Sequence, residues 1–177
     1  MKRTLAALAL LAAATPALAN TGTIHFLGQI NGATCPIDII DPITGAPASF
    51  INLGTFSNSY FTAAGDRTPQ RPFALWIRDG VACGFSPGAE VDVVYNGLDG
   101  DNSKLYLPKT GAGTAGGVGI AIKDRTQADV EPGKASSKYP VNDTGETLLA
   151  FNASIVSIGT VTPGSVDADI AFLVTIP

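Results

Sequence analysis

Apolar and polar residues alternate along two segments near the opposite ends of the chain. From Gly22 to Ile30 the even positions are apolar or glycine, and the odd positions are mostly polar and include the one histidine, His25. This period of two predicts a β-strand that buries one face. The segment 165–176 shows the same pattern and is followed by one further residue, so we expect a strand that either pairs on both sides or leaves an open edge.

Between these segments the chain is a series of short alternating or apolar runs separated by glycine, proline, asparagine and aspartate. The runs fall at 49–56, 71–80, 89–97, 103–108, 116–124 and 145–158. No stretch keeps a 3.6-residue apolar period long enough for a substantial helix. The pattern predicts one all-β domain, a sandwich or a barrel.

The first nineteen residues have the pattern of an export signal. Lys2 and Arg3 precede the apolar run TLAALALLAAAT, and Ala17-Leu18-Ala19 forms a small-x-small cleavage site. Removal of this signal would leave 158 of the 177 residues and change the net charge from −4 to −6, because two cations leave with it. An acidic surface without a basic cluster argues against nucleic acid or an anionic membrane as a partner.

The chain has two cysteines, Cys35 and Cys83. In an exported protein an even cysteine count favours a disulfide over two buried free thiols. With both cysteines oxidised, no cysteine–histidine pair remains for nucleophilic catalysis or for zinc. His25 lies on the polar face of its strand, so we interpret it as a surface or interface residue.

Three other features have the appearance of sites. The run GAGTAGG (111–117) contains a G-x-G-x-x-G spacing, but an apolar strand pattern follows it, which favours a loop over a phosphate site. Asp99, Asp101 and Ser103 have the spacing of a calcium loop whose closing glutamate is replaced by Thr110, so a turn is favoured. Trp76 could stack on a sugar, but a core position is the better interpretation. We expect no catalytic residues, metal or cofactor, and no enzyme activity.

Several segments together resemble a known family. They are GTIHFLGQINGATC (22–35), INLGTF (51–56), the second cysteine, GVGIAIKDRT (117–126), TLLAFNASIVSIG (147–159) and VTPGSVDADIAFLVTI (161–176). In this order they resemble a pilus subunit of the chaperone–usher type, similar to the type 1 major pilins. The resemblance spans nearly all of the chain after the signal.

The resemblance implies an incomplete immunoglobulin-like sandwich that lacks its last strand and is completed by a donor strand from another subunit. It divides the chain into a signal peptide (1–19), a donor-strand extension (20–34) and a pilin domain (35–177). The donor residues would be Gly22, Ile24, Phe26, Gly28 and Ile30. The acceptor groove would be lined by Ala168, Ile170, Phe172, Val174 and Ile176.

The implied function is that of a structural subunit of a surface fimbria used for adhesion, exported through the periplasm. Its partners would be other pilus subunits, a periplasmic chaperone and an outer-membrane usher. Ile176 and Pro177 stand where the family often has a penultimate tyrosine, which leaves the chaperone contact at this end open. The alternative is a monomeric secreted glycan-binding sandwich, or a tip adhesin or adaptor.

The N-terminal strand could enter its own groove or that of a neighbour. Five steps along the chain lead from Ile30 to Cys35, at most about 18 Å of extended chain. A disulfide would tie Cys35 to the body of the domain, which leaves little slack for the strand to reverse direction and reach the last strand. We therefore expect the strand to be donated to a neighbour.

Overall fold

The computed structural model of the protein describes residues 24–28, by their backbone, and residues 35–176. The described residues form eight β-strands and one turn of 3-10 helix, Asn58–Tyr60. The strands are β1 (Ile24–Gly28), β2 (Ile37–Ile40), β3 (Arg71–Ile77), β4 (Glu90–Gly97), β5 (Gly116–Lys123), β6 (Tyr139–Pro140), β7 (Thr147–Thr162) and β8 (Ala168–Thr175). The prediction of an all-β sandwich is confirmed.

The strands form two four-stranded sheets. One has the order β1-β8-β4-β6 and the other the order β2-β3-β7-β5. The inward faces of both sheets contribute to a single large apolar core. All pairings between the named strands are antiparallel except that of β1 with β8, which is parallel.

Aromatic rings form the centre of this core. Tyr95 of β4 lies 5.2 Å from Phe151 of β7 and 6.3 Å from Phe73 of β3, between ring centroids, and both contacts are edge-to-face. Phe73 and Phe151 stack at 5.6 Å. Edge-to-face and stacked ring pairs stabilise a fold beyond the area they bury. The two sheets are therefore held together by rings from three strands.

Four of the expected runs became the long strands β3, β4, β5 and β7, but two runs did not form regular strands. In the run 49–56, Ile51 and Leu53 are buried in the core, yet the segment has no continuous ladder. In the run 103–108, Tyr106 makes only isolated bridges, to Asp101 and Ile120. The run pattern also missed β2 and β6, which contain four and two residues.

Trp76 was expected in the core, and this prediction is wrong. Its register partners are Asp38 and Leu148, and it is only partly buried, on the outward face of its sheet. The indole Nε1–H donates a 2.9 Å hydrogen bond to Glu146, and the guanidinium carbon of Arg78 lies 4.5 Å from the ring centroid. The polar partners explain the position, because a tryptophan with an outward donor and a stacked cation need not be buried.

The glycine-rich run 111–117 forms a turn and then a bulge at the start of β5. The Gly111 N–H donates to the Thr114 hydroxyl at 3.1 Å, and that hydroxyl donates back to the Gly111 carbonyl at 2.9 Å. The bulge lies between Gly116 and Val118 and gives Gly117 a φ of 71°. The run is thus a loop that leads directly into a strand, as predicted.

Cys35 and Cys83 form a disulfide with their Cα atoms 4.5 Å apart, which confirms the predicted pairing. Both residues are buried. The bond ties the segment just before β2 to the turn that follows β3, across 48 residues of sequence. It therefore anchors the described chain at the point where the sandwich begins.

Removing this disulfide should lower the free energy of unfolding by about 4 kcal/mol, because a loop of this length is then unconstrained in the unfolded chain. We expect the double variant Cys35→Ala/Cys83→Ala to show this loss in urea titration. Wild-type protein with a reductant should show a similar loss and gain two hydrogens in intact mass. An unchanged unfolding midpoint in both samples would contradict the prediction.

Gly117→Ala should lower the free energy of unfolding by at least about 1–3 kcal/mol, because the positive φ of this residue is unfavourable for alanine. A Cβ atom there would also lie 2.1 Å from the Thr160 carbonyl oxygen. Gly111→Ala is the matched control, since no atom lies within 4 Å of its Cβ position, and it should change the stability by less than ~0.5 kcal/mol. Equal urea midpoints for the two variants would contradict this.

Candidate functional site: the groove beside the last strand

Alternate residues of β8 face the core. Ala168, Ile170, Phe172 and Val174 are each at most 8% exposed, and Ile176 is partly buried against the same core. The residues between them are partly buried or exposed, and Leu173 is the most apolar of these. The alternation in the sequence therefore gave the correct inward face of this strand.

One edge of β8 pairs with β4 in antiparallel register, from Asp92 opposite Thr175 to Gly97 opposite Ile170. Beneath this pair, Phe172 lies 6.5 Å from Tyr95 between ring centroids, so the aromatic centre of the core forms the floor of the groove. Burial raises the pKa of the Tyr95 hydroxyl well above its ordinary value. That hydroxyl has no hydrogen-bond partner among the described residues.

The other edge of β8 is occupied by β1. The register is parallel, with Ile24 opposite Ala168, Phe26 opposite Ile170 and Gly28 opposite Phe172. Three of the five expected donor residues thus lie opposite three of the five expected groove residues. Gly22 and Ile30 lie outside the described residues.

The N-terminal strand therefore reaches the groove of its own chain, and the expectation that its connection is too short is wrong. That expectation assumed a strand that reverses direction, whereas β1 runs parallel to β8. The seven steps from Gly28 to Cys35 allow about 24 Å of extended chain.

Charged side chains cluster where β8 begins. Lys109 Nζ lies 2.8 Å from an Asp169 carboxylate oxygen and 3.8 Å from one of Asp167. Asp99 accepts a 2.7 Å hydrogen bond from the Asp169 backbone N–H. The hydrogen bond to Asp169 raises the pKa of Lys109, and the nearby charges of Asp167 and Asp99 act in the same direction. We call this set of four residues the charged rim.

The charged rim was missed in the sequence. Asp99 was considered only as part of a calcium loop. In the structure its carboxylate accepts a hydrogen bond from the backbone N–H of Asp169, near the start of β8. The side chains of Asp167 and Asp169 are 33% and 21% exposed. The sequence offers one indication of this cluster, the cation Lys109. It lies in a loop, where no periodicity predicts which side chains it contacts.

An apolar pocket of about 190 Å³ lies just before the start of β8. Its walls come from the extended segment around Leu53 and Phe56, from Ile155 of β7, and from Val161 and Val166 on either side of the turn before β8. Leu53 is buried in the core, so the pocket opens onto core residues. The apolar surface beside β8 thus extends past Ala168 towards the turn that precedes the strand.

The described residues contain no cluster of three or more histidine, cysteine, aspartate or glutamate side chains able to hold a metal ion. No helix in the described part of the chain is long and apolar enough to cross a bilayer. What the region offers is a strand edge, an apolar floor and a charged rim, which are the elements needed to bind an extended polypeptide.

Solved structures with a similar fold include the P pilus rod subunit PapA, with a TM-score of 0.57, 21% identity, and coverage of 72% of this chain and 91% of that one. A subunit from a structure of a chaperone–usher pilus aligns with a TM-score of 0.55 and 18% identity, over 93% of this chain and all of that one. Both likenesses support an incomplete immunoglobulin-like sandwich.

Comparison of sequences gives the family. The chain is 32% identical to the type-1 fimbrial protein A chain of Salmonella typhi, over 90% of this chain and 84% of the relative. It is 33% identical to the long polar fimbria protein A of Salmonella typhimurium, over 97% and 95%. The model of the family described as fimbrial protein matches residues 24–176. The chain belongs to the fimbrial protein family.

Proposed function

We propose that this protein is a structural subunit of a surface fimbria, in which the N-terminal strand of one copy fills the groove beside β8 of the next. The observation that carries this proposal is the position of β1. It completes a sheet at an edge where β8 would otherwise be open, yet it comes from the far end of the chain. A strand of this kind can be exchanged between copies without any change in the sandwich itself.

The side chains of the two segments match when the donated strand runs antiparallel to β8. Aligning 22–30 against 168–176 in that direction places Gly28 opposite Ile170 and Ile30 opposite Ala168. Small residues thus meet large ones, and Gly22 likewise meets Ile176. Antiparallel pairs are also slightly more stable per residue than parallel pairs. A strand from another copy has no short connection to this sandwich, so it is free to take that direction.

Burial of donor residues would make the contact long-lived. Covering the side chains of Ile24, Phe26 and Ile30 contributes on the order of 5–9 kcal/mol before ordering costs, and this is an upper range. Main-chain hydrogen bonds along β8 add to it. The observed parallel strand pairs with β8 only between Ala168 and Phe172 among the described residues. Donation to a neighbour in the alignment above would cover all five groove residues.

Repeated donation produces a fibre. Each copy gives a strand at one end and receives one at another surface, so the contact is head-to-tail and need not close into a ring. The subunit would pass through the periplasm, where a chaperone would cover the groove and an outer-membrane usher would exchange it for the next subunit. Strand addition by a chaperone to a pilin is a known case of this recognition mode. At the end of β8 the chaperone would meet Ile176 in place of a tyrosine.

The alternative, a monomeric glycan-binding sandwich, has less support. Trp76 is the residue considered for sugar stacking, and the Arg78 guanidinium already lies over its ring at 4.5 Å. The indole donor is also taken, by Glu146. A sugar would have to displace both contacts.

Deletion of residues 20–30 should produce a subunit that accepts a strand but cannot donate one. We expect cells that export only this variant to show no long fibres by electron microscopy. The purified variant should bind a synthetic peptide of residues 20–30, because its groove is intact. Long fibres formed by the variant alone would contradict the proposal.

Two single substitutions in the donor strand give a matched comparison for this deletion. Ile24→Asp puts a charge at a position predicted to face the groove, and Thr23→Asp adds the same charge at the neighbouring position, which is predicted to face outward, opposite the uncharged Thr175. Fibre formation should be lost in the first variant and kept in the second. Equal effects of the two substitutions would show that the alternating face is not what assembles the fibre.

A further inference from the structure

The charged rim has an excess of negative charge beside the strand that fills the groove. The ammonium of Lys109 lies within 4 Å of the carboxylates of Asp167 and Asp169, and the Asp99 carboxylate is close enough to act on its charge. The effect on Lys109 is a raised pKa, caused first by its hydrogen bond to Asp169. A second cation placed here would be stabilised by the same carboxylates.

The register of β1 places the one histidine of the chain at this rim. His25 is opposite Asp169 in the parallel pairing. Register partners on neighbouring strands lie on the same face of a sheet, and Asp169 lies between the inward residues Ala168 and Ile170. Residue 25 therefore shares the outward face with the rim when the chain fills its own groove.

Donation to a neighbour moves this residue away from the rim. In the antiparallel alignment of 22–30 with 168–176, His25 is opposite Leu173, and the uncharged Gln29 takes the place opposite Asp169. Four residues along a strand correspond to about 13 Å. This exceeds the distance of about 10 Å over which charges interact at 0.1 M salt. The two placements of the strand thus differ in the charge that faces Asp169.

We propose that His25, through the charge it carries opposite Asp169, determines how readily a self-filled subunit gives up its strand. This inference rests on the proposed function, since it concerns the exchange by which the fibre grows. Acid would favour the self-filled subunit, and neutral or alkaline conditions would favour exchange.

The direction follows from the two states of the imidazole. The unperturbed pKa of an imidazole is about 6.5, and neighbouring carboxylates raise it because they stabilise the protonated form. The stabilisation is present when the imidazole is protonated and is lost as pH rises through that raised pKa. The donated strand lacks this interaction, so the balance shifts towards exchange above pH about 7. Asp92, the next carboxylate along the same face, is already paired with Lys138.

The test uses the exported chain from Asn20 onward, without a histidine tag, as a self-filled monomer. A fluorescent peptide of residues 20–30 carrying glutamine at position 25 is added in excess, so the only histidine is in the acceptor. Capture should be several-fold slower at pH 5.5 than at pH 8.0, and up to tenfold for a pKa raised by one unit. His25→Gln should capture at the same rate at both pH values, and His25→Lys should be slow at both.

A second measurement does not depend on exchange. The imidazole resonance of the single histidine should titrate by NMR with a pKa above 6.5 in the monomer, and Asp169→Asn should lower that pKa. Glu90→Gln is the control, because Glu90 begins β4 at the other end of the same sheet, beyond Thr175. It should leave both the titration and the capture rates unchanged.

Three outcomes separate the claims. Capture that depends on pH equally in wild type and His25→Gln overturns the role of His25 and leaves the proposed function standing. A wild-type capture rate that does not change with pH also overturns the role of His25 and leaves the proposed function standing. If no variant captures peptide at any pH, the acceptor groove itself is wrong, and both proposals fail.

Discussion

The second edge of β8 is the feature on which the rest of this structure depends. β8 has its inward residues buried in the core, and β4 satisfies only one of its two edges. A central strand left open on one side would expose backbone donors and acceptors beside an apolar groove, which natural proteins avoid. The sandwich is therefore complete only when an additional strand is present. In the single chain that strand is β1, and in a fibre it would come from a neighbour.

The free edge of β8 can be occupied by the N-terminal strand of the same chain or by that of another copy, and different factors favour each. The strand of the same chain is held close by a short connection, which gives it an entropic advantage but restricts it to the parallel direction observed. A strand from another copy lacks this advantage but can align all of its inward residues with the groove. The aromatic floor formed by Tyr95 and Phe172 is the same for both. The charged rim is the part of the groove that distinguishes them, because it lies at one end only.

The sequence was sufficient to predict the sandwich, the disulfide and the inward face of β8. Alternation is a local pattern that can be seen directly in the sequence, and two cysteines in an exported chain favour a disulfide. It was not sufficient for β2 or for the segment around Ile51 and Leu53, which are too short or irregular for periodicity to decide. Trp76 was misplaced because its burial depends on Arg78 and Glu146, and Glu146 lies 70 residues away in sequence. The parallel direction of β1 was missed because the reach of a connection depends on where both ends lie in the fold.

A cross-link between copies tests most directly whether the strand is donated. In the antiparallel alignment Thr23 lies opposite Thr175, an exposed residue at the end of β8, whereas the parallel register of the single chain begins with Ile24 opposite Ala168, at the other end of that strand. The control pair His25→Cys/Asp169→Cys should cross-link within one chain of the self-filled monomer. For fibres of Thr23→Cys/Thr175→Cys boiled in detergent without reductant, we predict a ladder of multimers that reductant collapses to one band. A single-subunit band without reductant, from intact fibres, would contradict the account.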